Sequence, residues 1–270
     1  LRANVIRLAR HPKDSVTADD FVAGTEELPA LRDGQVLVRV ELLSLDPFIR
    51  WRLTPGRFFG PTLAVGDVVV GNAIGVVEES RSPALPPGTQ VAGAFGWRDR
   101  AVVEAAEAQA LEPADVPPSL HLGLLGLPGL TAHVGLFQVG QPRPPATMLV
   151  SAATGAVGGL AGQIGRILGC RVVGIAGGAA KCAHAVTRLG FDACLDHRAP
   201  DLAEQLAAAV PEKIDLFFDN VGGPVLDAAL PRLGVGARVV LCGMISDYNR
   251  AAPYGLHNIC LLYTSDAADE

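Results

Sequence analysis

A glycine-rich turn is the part of this sequence whose chemistry can be named first. It reads Ala153-x-Gly155-x-x-Gly158, a variant of G-x-G-x-x-G with alanine at the first position, and it lies between an apolar strand and an amphipathic helix. Such a turn brings backbone amides and the positive end of a helix up to a pyrophosphate, although small residues at this spacing can also serve close packing alone. The residues expected to bind the phosphates are Gly155, Ala156, Val157 and Gly158.

The residues after this turn favour NADPH/NADP over NAD as the cofactor. An NAD site normally carries Asp or Glu about 20 residues after the glycines, where the carboxylate binds the ribose 2′-hydroxyl. Here no Asp or Glu occurs between residues 116 and 191, and Lys181 follows the second strand. A carboxylate would repel a 2′-phosphate, whereas the Lys181 ammonium would attract it. The alternative is that Lys181 is an ordinary solvated helix residue.

The elements that must position this turn alternate short apolar strands with helices. Strands are expected at residues 147–152, 171–175, 193–195, 214–218 and 237–242. Strands separated by single helices predict right-handed crossovers and a doubly wound parallel sheet, hence an α/β fold. Before Pro117, β-rich runs such as residues 36–40 and 65–77 are broken by proline and glycine, which indicates a compact, mostly β domain.

Composition and charge argue against two classes of partner. Hydrophobic residues make up 49% of the sequence, the formal net charge is −6, and the basic residues are dispersed. Binding of nucleic acid needs a basic patch, and a membrane span needs about 18 uninterrupted apolar residues. Neither is found in the sequence, so the expected partner is a small molecule rather than nucleic acid or a membrane.

Cysteine usage predicts a reducing compartment, so a cytoplasmic location is expected. The five cysteines lie far apart in the sequence and form no C-x-x-C pair. The first residues show no charged region followed by an apolar stretch, so they do not form a secretory signal. Because residue 1 is leucine, the natural N-terminus is expected to be missing.

Five blocks of the sequence resemble the medium-chain dehydrogenase/reductase superfamily. Within it, they are similar to the zinc-independent, NADP-dependent alkenal and prostaglandin reductases, which share their pattern with bacterial curcumin reductases. The blocks follow the order and spacing of that family, and the resemblance extends to about Asn249. They are residues 42–50 (LLSLDPFIR), 126–133 (GLPGLTAH), the glycine turn, 218–223 (FDNVGG) and 242–249 (CGMISDYN).

The resemblance implies two domains and no metal. Residues 1–118 would form a β-rich GroES-like substrate (catalytic) domain, and residues 119–258 an incomplete, doubly wound Rossmann NADP-binding domain. Zinc-dependent relatives carry a Gly-His-Glu block where this sequence has Gly71-Asn72-Ala73. No cysteine precedes Cys170 and no histidine lies between His11 and His121, so a tetrahedral zinc site is not expected in the first domain.

The resemblance also implies a reaction, the reduction of a C=C bond conjugated to an aldehyde or ketone. NADPH would deliver hydride to the β-carbon, charge would build on the carbonyl oxygen as an enolate, and a proton would be added at the α-carbon. The protein must supply orientation and a hydrogen-bond donor at that oxygen. The implied donor is Tyr248, since a phenol keeps its proton at neutral pH. A loop tyrosine packed at the domain edge is the alternative.

The other residues implied by the resemblance would hold the cofactor. Thr131 is expected beside the nicotinamide, and Lys181 and His197 beside the 2′-phosphate or adenine. The remaining cofactor residues follow the carboxyl ends of strands, where ligands of such folds bind; they are Asn220, Cys242, Gly243, Met244, Ile245 and Ser246. Thr131 could instead cap a helix, and His197 could be an exposed loop residue. The sequence departs from the family here, because Asp196-His197-Arg198 replaces Asn-Tyr-Lys and Lys181 lacks the usual serine before it.

The end of the sequence departs furthest from the family. Residues 259–270 look like translated adaptor sequence and are expected to be a non-native tail, so that the protein would be truncated at its C-terminal end. Family members continue with a last sheet strand that forms the dimer contact, so a homodimer is expected for the full-length protein. A sheet without that strand exposes an unpaired edge, and we expect the protein as it stands to be poorly stable or inactive.

Two other functions remain open at this point. A zinc-independent NADPH quinone reductase of the same superfamily would share the glycine turn but usually not the block at residues 242–249. A non-catalytic NADP-binding fragment or sensor would bind NADP without turnover. A short-chain dehydrogenase is disfavoured, because none of Tyr248, Tyr254 and Tyr263 has a lysine four residues further on.

Overall fold

The computed structural model describes residues 1–56, 60–113 and 115–261 and divides into two compact units. The first unit is Leu1–Gly126 and the second is Leu127–Glu270. The division falls at Gly126, somewhat after the boundary that the sequence suggests at residue 118. No described helix is long and apolar enough to cross a membrane.

The first unit is built from two antiparallel sheets. β1 pairs with β2, and the second sheet has the order β6-β3-β4-β5-β7. Its interior is formed by strand residues such as Val36, Val38, Val77 and Val91, which confirms the mostly β character expected from the sequence. The elements are β1 (Arg2–Leu8), β2 (Phe21–Glu27), β3 (Gln35–Leu43), α1 (Phe48–Arg52), β4 (Ala73–Ser80), β5 (Gln90–Gly93), β6 (Arg100–Glu104) and β7 (Gln109–Ala110).

The β-rich run expected at residues 65–77 is a strand only in its second half. β4 begins at Ala73. Before it, Gly66 has a φ of +96°, and the backbone amide of Leu8 donates to the Asp67 carbonyl oxygen. The positive φ of Gly66 lets the backbone turn there, and residues 67–69 then pair with the end of β1 before β4 begins.

The second unit is a parallel sheet with helices on both faces, as the sequence predicts. Its strand order is β10-β9-β8-β11-β12, and every pair is parallel. The backbone moves outward from β8 to β10 and then returns to the other side of β8 with β11. The elements are α2 (Leu127–Val134), β8 (Thr147–Ser151), α3 (Ala156–Ile167), β9 (Arg171–Ala176), α4 (Ala179–Leu189), β10 (Ala193–Asp196), α5 (Leu202–Ala209), β11 (Ile214–Asp219), α6 (Gly223–Ala229) and β12 (Leu233–Leu241).

The core of this unit has one layer on each face of the sheet. Along β8, Met148 and Val150 join the cluster under α2, α3 and α4, whereas Leu149 joins the cluster under α5 and α6. The central strands are thus apolar on both sides, which explains their continuous hydrophobic runs. The strand order reverses between β8 and β11, and cofactors of such folds bind at the carboxyl edge of the sheet at that reversal.

A buried carboxylate holds the last described segment against α6. Asp227 accepts hydrogen bonds from the backbone amides of His257 and Asn258, from the His257 imidazole and from the Tyr254 hydroxyl. Burial opposes ionisation of Asp227, but these hydrogen bonds outweigh it and lower its pKa to about 2. Of the tail expected to be non-native, residues 262–270 lie outside the described residues.

Candidate cofactor and active site

The glycine turn lies where β8 meets α3, at the reversal of strand order. Gly155 is the residue that precedes α3, and the helical hydrogen-bond ladder opens with the Gly159 amide donating to the Gly155 carbonyl oxygen at 2.8 Å. The backbone N–H groups of Ala156, Val157 and Gly158 come before this ladder, where helices leave amides unpaired. The structure therefore brings together the four residues that the sequence assigns to the phosphates, at a helix end that attracts anions.

Close approach of two backbones explains why position 158 is glycine. A β-carbon there would lie 2.4 Å from the Ala152 carbonyl oxygen and 3.0 Å from that of Ser151. Ala152 itself has a φ of +48°, in the left-handed region that non-glycine residues rarely adopt. Strain of this kind is maintained only where the surroundings hold it, and it is common at ligand sites.

Replacing Gly158 with alanine is expected to destabilise the protein by about 1–3 kcal/mol and to weaken NADPH binding. The added methyl group would clash with backbone atoms of Ala152, which cannot move aside as a flexible side chain could. Thermal unfolding and a fluorescence titration with NADPH would measure both effects. Gly159→Ala is the matched control, since a β-carbon at 159 meets its nearest atom, Leu189 Cδ1, at an ordinary 3.4 Å. Equal losses in the two variants would contradict this account of the turn.

Basic side chains converge on the turn that follows β9. A β-carbon at Gly177 would lie 2.9 Å from His197 Nε2 and 3.2 Å from Arg198 Nε, so both side chains cover this turn. Gly178 has a φ of +97°, and a β-carbon built on it would lie 3.6 Å from Arg198 Nη1. His197 is exposed to solvent and also lies against the turn. Arg198 is a candidate that the sequence reasoning missed, although it belongs to the triplet that departs from the family.

An acidic residue also reaches this turn, which the sequence reasoning overlooked. The Asp196 carboxylate accepts hydrogen bonds from the amides of Gly178 at 2.8 Å and Arg198 at 3.0 Å. Asp196 lies outside the acid-free stretch, but β10 pairs with β9 and brings its carboxylate beside the end of that strand. The amides of Arg198 and Gly178 hold the pKa of Asp196 below its usual value, so its charge serves to order the turn.

Lys181 lies one helical turn from the same glycines. It is exposed, in the first turn of α4, and its backbone amide donates to the Gly178 carbonyl oxygen at 3.1 Å. Within residues 1–56, 60–113 and 115–261, no ion pair of its ammonium group is found. The structure thus places Lys181, His197 and Arg198 around a single turn at the end of β9, where a ribose 2′-substituent is bound in folds of this kind.

The carboxyl ends of β8 and β11 are joined by a buried hydrogen-bond cluster. The Ser151 hydroxyl donates to Asp219 Oδ1 at 2.6 Å and accepts from the Asn220 amide at 2.8 Å. The Asn220 side chain donates to the Ser151 carbonyl oxygen at 2.8 Å. Asn220, which the sequence assigns to the cofactor, therefore also fixes the two strand ends relative to each other.

Asp219 is the centre of that cluster and was not foreseen as a site residue. It is fully buried, and its carboxylate also accepts from the amides of Val221 and Gly222. Burial raises its pKa, against the opposing effect of these hydrogen bonds and that from Ser151. An acid at the end of a buried apolar strand is the signal that could have identified it, because such residues are rarely buried unless they are bound.

The segment that carries Tyr248 is held by backbone hydrogen bonds to the end of β11. The amides of Cys242 and Gly243 donate to the Asp219 carbonyl oxygen at 2.8 and 3.1 Å, and the Ser246 amide donates to that of Val221 at 3.1 Å. These bonds fold the residues after β12 back over the carboxyl edge of the sheet. The segment contains the predicted cofactor residues Cys242, Gly243, Met244, Ile245 and Ser246.

Tyr248 directs its hydroxyl to this same edge. A β-carbon at Gly243 would lie 3.6 Å from Tyr248 Oη and 3.1 Å from the Asn220 carbonyl oxygen, so glycine leaves room for both. The side chain of Tyr248 is half-buried. Nearby, Ser246 Oγ is buried without a hydrogen-bond partner among the described residues. A buried hydroxyl of this kind fits a site that a polar ligand completes.

Thr131 lies inside α2 and is not a helix cap. Its hydroxyl donates to the Leu127 carbonyl oxygen at 2.7 Å, one turn earlier in the same helix. Thr131 and Cys242 both line a mainly apolar cleft of about 310 Å³. The other residues that line the cleft are Leu127, Leu130, Val134, Gly135, Phe218 and Val240. The cleft therefore links two residues that the sequence assigns to the cofactor.

Together, the glycine turn at the strand reversal and the basic side chains around the turn after β9 have the arrangement of a dinucleotide-binding fold. In the part of the protein that the structure describes, no group of three or more His, Cys, Asp or Glu side chains is placed to hold a metal ion. Two family models match: one described as an N-terminal domain of oxidoreductase, over residues 4–111, and one described as zinc-binding dehydrogenase, over residues 156–263.

Curated proteins and a solved structure give closer comparisons. The protein is 45% identical over 242 residues to the NADPH-dependent curcumin reductase of Escherichia coli, covering 90% of this chain and 70% of that protein. It is 38% identical to prostaglandin reductase 1 of Bos taurus, over 91% of this chain and 74% of that protein. The structure of CurA from Vibrio vulnificus in complex with NADPH is 41% identical, with a TM-score of 0.91, covering 98% of this chain and 79% of that one.

This protein belongs to the zinc-independent medium-chain dehydrogenase/reductase family. It is an NADP-dependent oxidoreductase. The two-part α/β fold and the NADP cofactor expected from the sequence are confirmed.

Proposed function

We propose that this protein uses NADPH to reduce the C=C bond of α,β-unsaturated aldehydes and ketones, with Tyr248 as the hydrogen-bond donor to the carbonyl oxygen. The observation that carries the proposal is that the Tyr248 hydroxyl lies 3.6 Å from the built β-carbon of Gly243, which itself lies 3.1 Å from the Asn220 carbonyl oxygen. This places a phenol at the carboxyl edge of the sheet that bears the phosphate turn. The names of the curcumin and prostaglandin reductases support the same class of reaction.

Each group of residues has a separate task in this proposal. NADPH, when bound, supplies the hydride. The amides of Ala156, Val157 and Gly158 bind the pyrophosphate, and the basic groups after β9 bind the 2′-phosphate.

The residues at the nicotinamide end orient the ring and stabilise the developing charge. We assign the orientation to Thr131, Asn220 and the segment from Cys242 to Ser246, supported by the cleft that Thr131 and Cys242 share. Tyr248 donates to the substrate oxygen as negative charge develops there. A donor already in position costs no reorganisation at the moment of reaction, which is why such groups have large effects on rate.

An assay of NADPH oxidation with a panel of substrates tests the proposal. The panel contains an enal, an enone, a quinone and the saturated aldehyde, each with NADPH and with NADH. We expect turnover of the enal and enone with NADPH, formation of the saturated carbonyl product, and much slower turnover with NADH. Turnover of the quinone alone would favour a quinone reductase instead, and NADPH binding without any turnover would favour a sensor.

We also propose a cytoplasmic location and small-molecule partners, without nucleic acid or a membrane. Cys170, Cys182, Cys194 and Cys242 are free thiols, which supports a reducing compartment, and the net charge of −6 is unfavourable for nucleic-acid binding. A homodimer is proposed for the full-length protein. Size measurement of a purified full-length relative would test the dimer directly.

A further inference from the structure

The segment that carries Tyr248 is folded around a buried carboxylate. Asp247 is buried, whereas Met244 and Ile245, which come just before it, are exposed. This is the reverse of the usual distribution, in which apolar side chains are buried and a carboxylate is buried only where it is bonded. Asp247 directly precedes Tyr248, so the contacts that hold Asp247 also restrict the position of Tyr248.

The Asp247 side chain closes a loop that begins at Tyr248. Both of its carboxylate oxygens accept from the backbone amide of Tyr254 at 3.2 Å. The Arg250 guanidinium also faces the carboxylate, with Nε 3.6 Å from Oδ1, and the Arg250 amide donates to the Asp247 carbonyl oxygen at 3.1 Å. Residues 247–254 are therefore joined at their two ends by one side chain.

This closure connects two anchored stretches of backbone. Before the loop, the Ser246 amide donates to a carbonyl oxygen just after β11. After the loop, the Tyr254 hydroxyl donates to Asp227 on α6. Asp247 therefore fixes both ends of the loop that contains Tyr248 to parts of the protein that are held independently.

We propose that Asp247 is a positioning residue for the reaction, which holds the Tyr248 hydroxyl at the carboxyl edge of the sheet by accepting the Tyr254 amide. The inference rests on the proposed function, in which Tyr248 donates to the substrate oxygen. A catalytic donor must be held within about 0.5 Å of its productive position, and a displacement of about 1 Å can cost roughly 10²-fold in rate. Closing the loop therefore affects turnover through the position of the phenol.

Replacing Asp247 with alanine in the full-length protein is expected to lower kcat for enone reduction by roughly 10- to 100-fold, because Tyr248 then occupies its productive position only part of the time. The KM for the enone and the Kd for NADPH should change little. Asp247→Asn keeps an oxygen that can accept the Tyr254 amide, so it should retain most of kcat. A loss in Asp247→Asn as large as that in Asp247→Ala would overturn the proposal.

Two further variants separate positioning from a general loss of stability. Added to Tyr248→Phe, Asp247→Ala should lower kcat no further, because no hydroxyl is left to position, and a further loss of the same size would overturn the proposal. Asp20→Ala is the matched control. Asp20 is also buried and accepts from the Thr17 amide and from Arg10 Nε, each at 2.8 Å, in the first unit. Its replacement should lower the unfolding temperature and leave kcat unchanged, and an equal loss of kcat in Asp20→Ala would also contradict the proposal.

The position of Tyr248 can be measured without turnover. In protein labelled with fluorotyrosine, the fluorine resonance of Tyr248 is the one that Tyr248→Phe removes. It should broaden in Asp247→Ala, as the side chain samples several positions, and stay sharp in Asp247→Asn and Asp20→Ala. A resonance that stays sharp in Asp247→Ala would show that Asp247 does not hold the phenol. If the resonance broadens as expected while Tyr248→Phe keeps full kcat, the positioning by Asp247 stands and the proposed role of Tyr248 in the reaction fails.

Discussion

Replacing Tyr248 with phenylalanine is expected to lower kcat for enone reduction by roughly 10²-fold, the scale seen when one donor to a developing oxyanion is removed. The hydroxyl is the only group changed, and its expected contribution is to the transition state, in which the substrate oxygen carries most charge. The KM for the enone should change much less than kcat, and the Kd for NADPH should stay the same. Steady-state kinetics with an enone and a fluorescence titration with NADPH measure these quantities.

Tyr254→Phe is the matched control for this prediction. It removes the same hydroxyl from a tyrosine six residues away, where the Oη donates to Asp227 Oδ2 at 3.0 Å. Asp227 keeps its bonds to the backbone amides of His257 and Asn258, so the loss should appear in thermal stability and not in kcat. If Tyr248→Phe retains full kcat, another donor must face the substrate oxygen and the proposed role of Tyr248 is wrong.

The second large effect is expected at the basic turn after β9. Arg198→Ala and Lys181→Ala should each raise the Kd for NADPH roughly tenfold, because each removes one charge-assisted contact with the 2′-phosphate. Affinity for NADH should stay nearly constant, so the ratio of the two constants is the informative measurement. The double variant should lose more than either single variant and approach equal affinity for the two cofactors.

Arg188→Ala tests whether a general loss of positive charge is enough to weaken NADPH binding relative to NADH binding. Arg188 is an exposed residue in the last turn of α4, the opposite end of the helix from Lys181. Its removal changes the net charge by the same amount and should not alter the preference for NADPH. An equal loss of preference in Arg188→Ala would attribute the effect to long-range charge and not to contact with the phosphate.

Local pattern was sufficient to predict the elements of the site. The turn from Gly155 to Gly158, the alternation of strands and helices, and Lys181 after the second strand can each be read within about 30 residues of sequence. The block that contains Tyr248 is recognisable through its resemblance to the family. These features depend on the sequence near them, and the structure places them where the sequence suggests.

What could not be predicted depends on which strands lie side by side. Asp196 reaches the turn after β9 because β10 is the neighbour of β9, although the sequence around Lys181 contains no acid. Ser151 and Asp219 are 68 residues apart and meet because β11 pairs with β8. Arg198 was passed over because its neighbour His197 occupies the position that the family fills with tyrosine.

The hydrogen bonds of Asp219 have a consequence for how this enzyme could be altered. Its carboxylate binds Ser151, next to the phosphate turn, and its carbonyl oxygen binds the amides of Cys242 and Gly243, next to Tyr248. Because the bonds to Cys242 and Gly243 are made by the backbone carbonyl, replacing the Asp219 side chain is expected to loosen the strand end beside the phosphate turn and to leave those two bonds in place. In the proposed function, selection between NADPH and NADH depends on Lys181 and Arg198, which lie around the turn after β9. The preference between NADPH and NADH can therefore be engineered, or change in evolution, without disturbing the segment after β12 that carries Tyr248.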